Sequence, residues 1–142
     1  MLQVCFQLLI RLRYKMYTPD GHMSATLSKS KPTLFNVTAN MADVMKPGYP
    51  ETDKMLQRWT NYVSYAGKYD VDVANQRVIH HVHISMFPNN AGHDQVRAYK
   101  FGREEGTGTE TLQLSASFSP TQNHVLLWRR QVQQSVSTSH HR

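Results

Sequence analysis

Alternation of apolar and polar residues with a period of two runs through most of this chain, and it limits the fold more than any other feature. From Leu2 to Met16 every even position is apolar, Val4, Phe6, Ile10, Tyr14 and Met16 among them. The odd positions are mostly polar, as in Gln3, Gln7, Arg11, Arg13 and Lys15. A helical template also collects Leu2, Cys5, Phe6, Leu9 and Ile10, so the first ten residues fit either period. The run is too long for one strand of a small domain, where about three to ten residues is usual. The chain is expected to bend near Arg11.

Turn residues divide the remaining alternation. "YTPDGHM" predicts a hairpin between strands 11–18 and 22–28: Pro19 presets φ, and Gly21 tolerates the positive φ that closes the loop. A polar connection follows from Ser28 to about Pro50, with a short helix near Ala39 to Met45. An amphipathic helix is predicted over Glu51 to Tyr65, with Met55, Trp59, Tyr62 and Val63 on one face. Four strands come next, at about 68–74, 77–87, 95–102 and 110–118, and a last one runs from His124 to Arg130. Residues 131–142 have no period and are expected to be a disordered polar tail on a single domain of residues 1–130. Seven or eight antiparallel strands with one helix predict an all-β barrel or sandwich. A barrel removes exposed edges, and with eight strands it has room for one small ligand.

Composition excludes several function classes. The 142 residues suit one domain, and the single cysteine allows no internal disulfide and no cysteine-based zinc site. It fits a reducing compartment, and a cytoplasmic location is expected. The formal net charge of +6 raises the question of nucleic acid. The basic residues are scattered at the spacing of strand surfaces, so no nucleic-acid partner is expected. In the first residues the charges follow the apolar run instead of preceding it, which is not the order of a signal peptide. That run is also too short to cross a bilayer, and no membrane partner is expected. No nucleophile elbow, phosphate loop or His-Glu-x-x-His motif occurs. The glycines at 102, 106 and 108 precede a strand and read as a turn, not as a nucleotide loop.

Several segments together resemble the lipocalin-like domain family of bacteria and fungi. They are "IRLRYKMYTPDGHMSATL", "YVSYAGKYDVD", "RVIHHVHISMFPN", "QVRAYKF" and "VLLWRR", in that order between Ile10 and Arg130. The resemblance implies an antiparallel, up-and-down calycin barrel with a hydrophobic cavity. Some fungal relatives are associated with polyketide or terpenoid biosynthesis as proposed cofactor-free isomerases or cyclases, and no cofactor is expected. The sequence departs from the family in lacking its opening Gly-x-Trp strand. Either residues 2–9 supply the missing strand, or the barrel is incomplete. The family's Pro-Asn-Trp also reads Pro88-Asn89-Asn90 here, and His83 stands where an acidic residue is expected.

The chemistry centres on "RVIHHVHISMFPNN", with His80, His81 and His83 within four positions. Side chains alternate across a strand. Val78, His80, Val82, Ile84 and Met86 form the apolar set and are expected inside, which turns His81 and His83 outward. The outward pair has the spacing of strand-borne zinc ligands but no fixed third ligand, so no metal is expected. The same reading places Tyr14 and Met16, Met23, Ala25 and Leu27, Tyr69 and Val71, and Leu126 and Trp128 inside. On strand 95–102 it favours Arg97, Tyr99 and Phe101. His80 is the candidate acid or base, and Arg97 the candidate for holding a substrate oxygen. Tyr14, Met16, Met23, Trp59, Tyr69, Tyr99 and Trp128 are the candidate ligand-binding residues. The expected function is binding of a small hydrophobic metabolite, with cofactor-free isomerisation or cyclisation as its chemistry. A non-catalytic carrier and a truncated, inactive relative are the alternatives.

Overall fold

Short turns set the strand order of this protein, whose computed structural model describes residues 4–7, 13–28, 40–119 and 122–131. The strands are β1 (Val4–Gln7), β2 (Arg13–Tyr17), β3 (His22–Ser28), β4 (Tyr62–Asp72), β5 (Arg77–Ser85), β6 (Asp94–Arg103), β7 (Glu110–Ser119) and β8 (Gln122–Gln131). Helices α1 (Met41–Val44) and α2 (Thr52–Thr60) lie between β3 and β4, and a single 3-10 turn, Pro88–Asn90, follows β5. Every strand pairs antiparallel with the next, and β1 also pairs with β8, so the sheet closes into a barrel. The fold is the expected lipocalin-like barrel. Closure leaves no strand edge to template aggregation.

The ambiguous first residues are thus extended at Val4–Gln7, where they occupy the gap between β2 and β8. Residues 2–9 were one of two ways to complete the barrel, and β1 takes that role. The expected bend near Arg11 lies outside the described residues, as do positions 29–39 of the long connection and the tail from 132 onward. Gln131, expected in the tail, is the last residue of β8.

The helix expected to reach Tyr65 stops at Thr60. Tyr62 to Tyr65 instead begin β4, pairing Tyr62 with Ser28 and Val63 with Leu27. Tyrosine and valine favour extended backbone, and β3 offers them a complete ladder of hydrogen bonds. The apolar stripe of α2 is consequently not buried: Met55 and Trp59 stand exposed.

The interior is built by alternation, with two corrections to the predicted faces. On β5, Val78, His80 and Val82 are buried as expected. Ile84 is 68% exposed, because the β4–β5 register shifts at Ala66/Gly67: Gly67 faces Val82 while Ala66 faces Ile84. His83 is the extra residue of this bulge, and beyond it the faces exchange.

The larger correction is on β2. Tyr14 is 46% exposed, whereas Arg13 and Lys15 are buried at 9% and 3%. The hairpin pairs Tyr17 with Met23, Lys15 with Ala25 and Arg13 with Leu27. Directly opposite residues share a face of the sheet. Met23 and Ala25 are core residues, so the odd residues of β2 must enter the barrel with them. The even set, Tyr14 and Met16, goes to the other face. A core of Val78, Leu112, Leu114 and Trp128 completes the interior, with Tyr17, Leu27, Tyr69, Tyr99 and Leu126 packed against it.

Candidate functional site

The barrel holds a cavity of about 690 Å³, within the range of small-molecule sites. Its wall is apolar and aromatic: Tyr69, Val78, Tyr99, Leu112 and Leu114 contribute. At one end Phe101, Arg103, Glu110 and Arg130 form a rim, where Glu110 takes ion pairs from both Arg130 and Arg103. Tyr17 also lines the cavity, with its ring edge-on to Tyr69 at 4.8 Å between centroids. The Tyr69 hydroxyl is committed to the backbone, donating to the Thr18 carbonyl oxygen at 3.0 Å.

Behind Tyr17 lies a buried polar cluster to which five strands contribute. Tyr17 and Lys15 come from β2, Tyr65 from β4, His80 from β5, Arg97 from β6 and Trp128 from β8. His80 is completely buried, and both its ring nitrogens are engaged. Tyr17 Oη lies 2.8 Å from Nε2 and Tyr65 Oη lies 3.3 Å from Nδ1. Burial drives the His80 pKa down to about 2, and the positive charges of Lys15 and Arg97 push the same way. The imidazole is therefore neutral at any working pH and has one donor and one acceptor. Arg97 hydrogen-bonds to Tyr65, and its Nη2 also donates to Gln95 Oε1 at 3.0 Å.

One order of donors satisfies this whole chain. Arg97 donates to the Tyr65 oxygen, Tyr65 O–H donates to His80 Nδ1, and His80 Nε2–H donates to the Tyr17 oxygen. This tautomer is assigned from the network of partners. In this order the Tyr17 O–H is the one donor not used within the chain. Burial holds the Tyr17 and Tyr65 hydroxyls above the usual tyrosine pKa, so both keep their protons.

Lys15 is the group poised near neutrality. Its Nζ sits 5.5 Å from the Trp128 ring centroid, 5.7 Å from Tyr17 and 5.9 Å from Tyr65. Burial, helped by Arg97, lowers its pKa to about 7. The rings partly offset the cost of burying the ammonium by cation–π attraction.

The predicted site residues fall into three groups. Tyr69 and Tyr99 line the cavity. His80 and Trp128 are buried behind it, and the half-buried Arg97 reaches that cluster through Tyr65. Tyr14, Met16, Met23 and Trp59 are not among the lining residues: Tyr14 and Trp59 are about half exposed, and Met23 is core. Sequence reasoning missed Tyr17, Lys15 and Tyr65. The signal was in the hairpin, whose register puts odd residues of β2 opposite the odd residues Met23 and Ala25.

The outer histidines have a different role. His81 Nδ1 meets Asp94 at 2.7 Å and Nε2 meets Asp70 at 2.9 Å, and these carboxylates raise its pKa. Its two nitrogens point to different partners, and His83 is exposed. Among the described residues no group of three or more His, Cys, Asp or Glu side chains is placed to hold a metal ion. No described helix is long and apolar enough to cross a membrane.

No curated protein and no solved structure matches the chain. A family model does: the one described as the lipocalin-like domain matches residues 14–131, which begin in β2 and end with the last residue of β8. This span takes in β3 to β8, all of β2 but Arg13, and the cluster beneath the cavity, leaving out β1, and the chain belongs to the lipocalin-like domain family.

Proposed function

We propose that the barrel binds a small hydrophobic molecule and fixes one of its oxygen atoms on the Tyr17 hydroxyl. The observation that carries this reading is the position of Tyr17, which both lines the apolar cavity and ends the donor chain from Arg97. An apolar wall with few convergent polar groups is what a small-molecule site requires. The finer reading is a cofactor-free isomerisation or cyclisation of a polyketide-like or terpenoid-like substrate. A carbonyl oxygen accepting from Tyr17 is polarised, and this acidifies its neighbouring C–H bond. In that role Tyr17 touches the substrate. His80 and Arg97 act through it as positioning residues, His80 by holding the tautomer and Arg97 by supplying fixed charge.

Titration with N-phenylnaphthylamine, a neutral fluorescent probe, tests the binding reading. One saturable site is expected, and Val78→Trp, which fills the cavity, should abolish it while the far-ultraviolet spectrum stays that of a barrel. Equal binding by this variant would place the probe elsewhere and remove the support for a ligand cavity.

A further inference from the structure

Tyr17, Tyr69 and Tyr99 all line the cavity, and their hydroxyls are not equivalent. The Tyr69 hydroxyl is taken by the Thr18 carbonyl oxygen. The Tyr17 oxygen accepts from His80 in the donor order given above, which leaves its O–H unused. The Tyr99 hydroxyl makes no hydrogen bond among the described residues. Its ring packs on the apolar core and on Phe101, 5.5 Å away between centroids. A phenol both donates and accepts, so the wall offers two hydroxyls with capacity to spare.

The sheet order sets these two apart. Tyr17 is the last residue of β2, and Tyr99 lies within β6. β2 and β6 are four strands apart by either route round the closed sheet, so they form opposite walls. Tyr17 pairs with the core residue Met23 and Tyr99 with the buried Leu114. Directly opposite residues share a face, so both side chains enter the barrel. Each is flanked by a second ring: Tyr69 stands edge-on to Tyr17, and Phe101 is tilted 59° against Tyr99. The walls between are aliphatic, with Val71 and Val78 on β4 and β5 and Leu112 and Leu114 on β7. The charged lining residues, Arg103, Glu110 and Arg130, pair with one another at the rim.

We propose that the ligand is a flat, uncharged ring system with an oxygen atom at each of two opposite edges, held across the barrel between Tyr17 and Tyr99. This deepens the binding reading above and rests on it, adding Tyr99 as a second oxygen-binding residue. One edge oxygen accepts from the Tyr17 O–H. The other, a carbonyl or phenol oxygen, shares a hydrogen bond with Tyr99, whose hydroxyl suits either. The ring edges meet Tyr69 and Phe101 in the offset and edge-to-face contacts that aromatic pairs prefer. The ring faces lie on the valines and leucines. A few polar groups converging on an apolar wall fix a ligand's orientation in this way.

Titrations of 2,6-dihydroxynaphthalene, 2-naphthol, naphthalene and the saturated decahydronaphthalene-2,6-diol, each by displacement of N-phenylnaphthylamine, separate these claims. The dihydroxy compound is expected to bind at least about tenfold more tightly than naphthalene, the value of two neutral hydrogen bonds, with 2-naphthol between them. It should also bind more tightly than the saturated diol, which carries the same oxygens on a puckered skeleton. Tyr99→Phe should weaken the dihydroxy compound roughly threefold to tenfold and leave naphthalene unchanged. Naphthalene binding as tightly as its diol, or a diol indifferent to Tyr99→Phe, would overturn the proposal and leave the hydrophobic cavity standing. Equal affinity for the flat and the saturated diol would overturn the choice of a flat ring system. Displacement by none of the four would overturn the binding reading as well.

Discussion

Lys15 lies directly opposite Ala25 across the β2–β3 hairpin, and Ala25 is 1% exposed. Because opposite residues share a face, that pairing alone carries an ammonium group into the barrel. The interior therefore holds more polar groups than the His80 and Arg97 that alternation suggested. It is an apolar cavity backed by a cluster of cations and tyrosines.

Removing the Lys15 charge should stabilise the fold. Lys15→Met keeps an unbranched side chain, one atom shorter, and discards the buried ammonium, and a gain of about 1–4 kcal/mol is expected from replacing a buried charge with an apolar group. The Lys15 pKa falls from 10.5 in the unfolded chain to about 7 in the barrel. Between those values the unfolded state binds the extra proton, so wild-type stability rises with pH through that window and is lower below about 7. Urea midpoints should climb from neutral to alkaline pH more steeply in wild type than in Lys15→Met. Parallel profiles would contradict the burial of this amine.

His81 should show the opposite trend. Its pKa is raised from 6.5 by Asp70 and Asp94, so its contribution is fully present below 6.5 and is lost as pH rises through the higher folded value. The site is solvent-exposed, and the effect should be at most about 1 kcal/mol. A proton NMR titration of the ring should give a midpoint above 6.5 in wild type and one nearer 6.5 in Asp70→Asn.

Gly67→Ala should be severely destabilising. A Cβ there would run into the carbonyl oxygen of His81 at the β4–β5 bulge, where the neighbour is backbone and cannot turn aside. A loss of at least about 2 kcal/mol is expected in chemical denaturation. Gly102→Ala is the comparison, since its Cβ would meet only the Thr111 hydroxyl at 3.1 Å. Its loss should be clearly smaller.

Tyr17→Phe should separate oxygen binding from apolar binding. Affinity for a long-chain methyl ketone should fall roughly threefold to tenfold, the value of one neutral hydrogen bond. Affinity for N-phenylnaphthylamine, which offers no carbonyl, should hardly change. Calorimetric titration of both compounds against both proteins measures this.

The barrel was legible in the sequence because alternation and turn residues agree over most of its length. Val78, His80 and Val82 were placed inside on pattern alone, as were Leu126 and Trp128. Reading failed where pattern and partner conflict. On β2 the apolar set, Tyr14 and Met16, is the outer one, because a binding interior takes charged residues that simple burial would reject. Only the hairpin register reveals this: five residues separate the paired Tyr17 and Met23, which joins odd positions to odd positions. Ile84 was misplaced because a bulge reverses parity and leaves no mark in hydrophobicity. Trp59 was assigned to the cavity because helical periodicity continues through Tyr62 and Val63, yet those residues gain more from pairing with β3.

The most direct test of an inward, buried Lys15 is the pH titration of its side chain by NMR, followed through the Cε carbon and assigned with Lys15→Arg. The account predicts a midpoint near 7. A midpoint near 10.5 would put Lys15 in solvent and contradict the reversed face of β2.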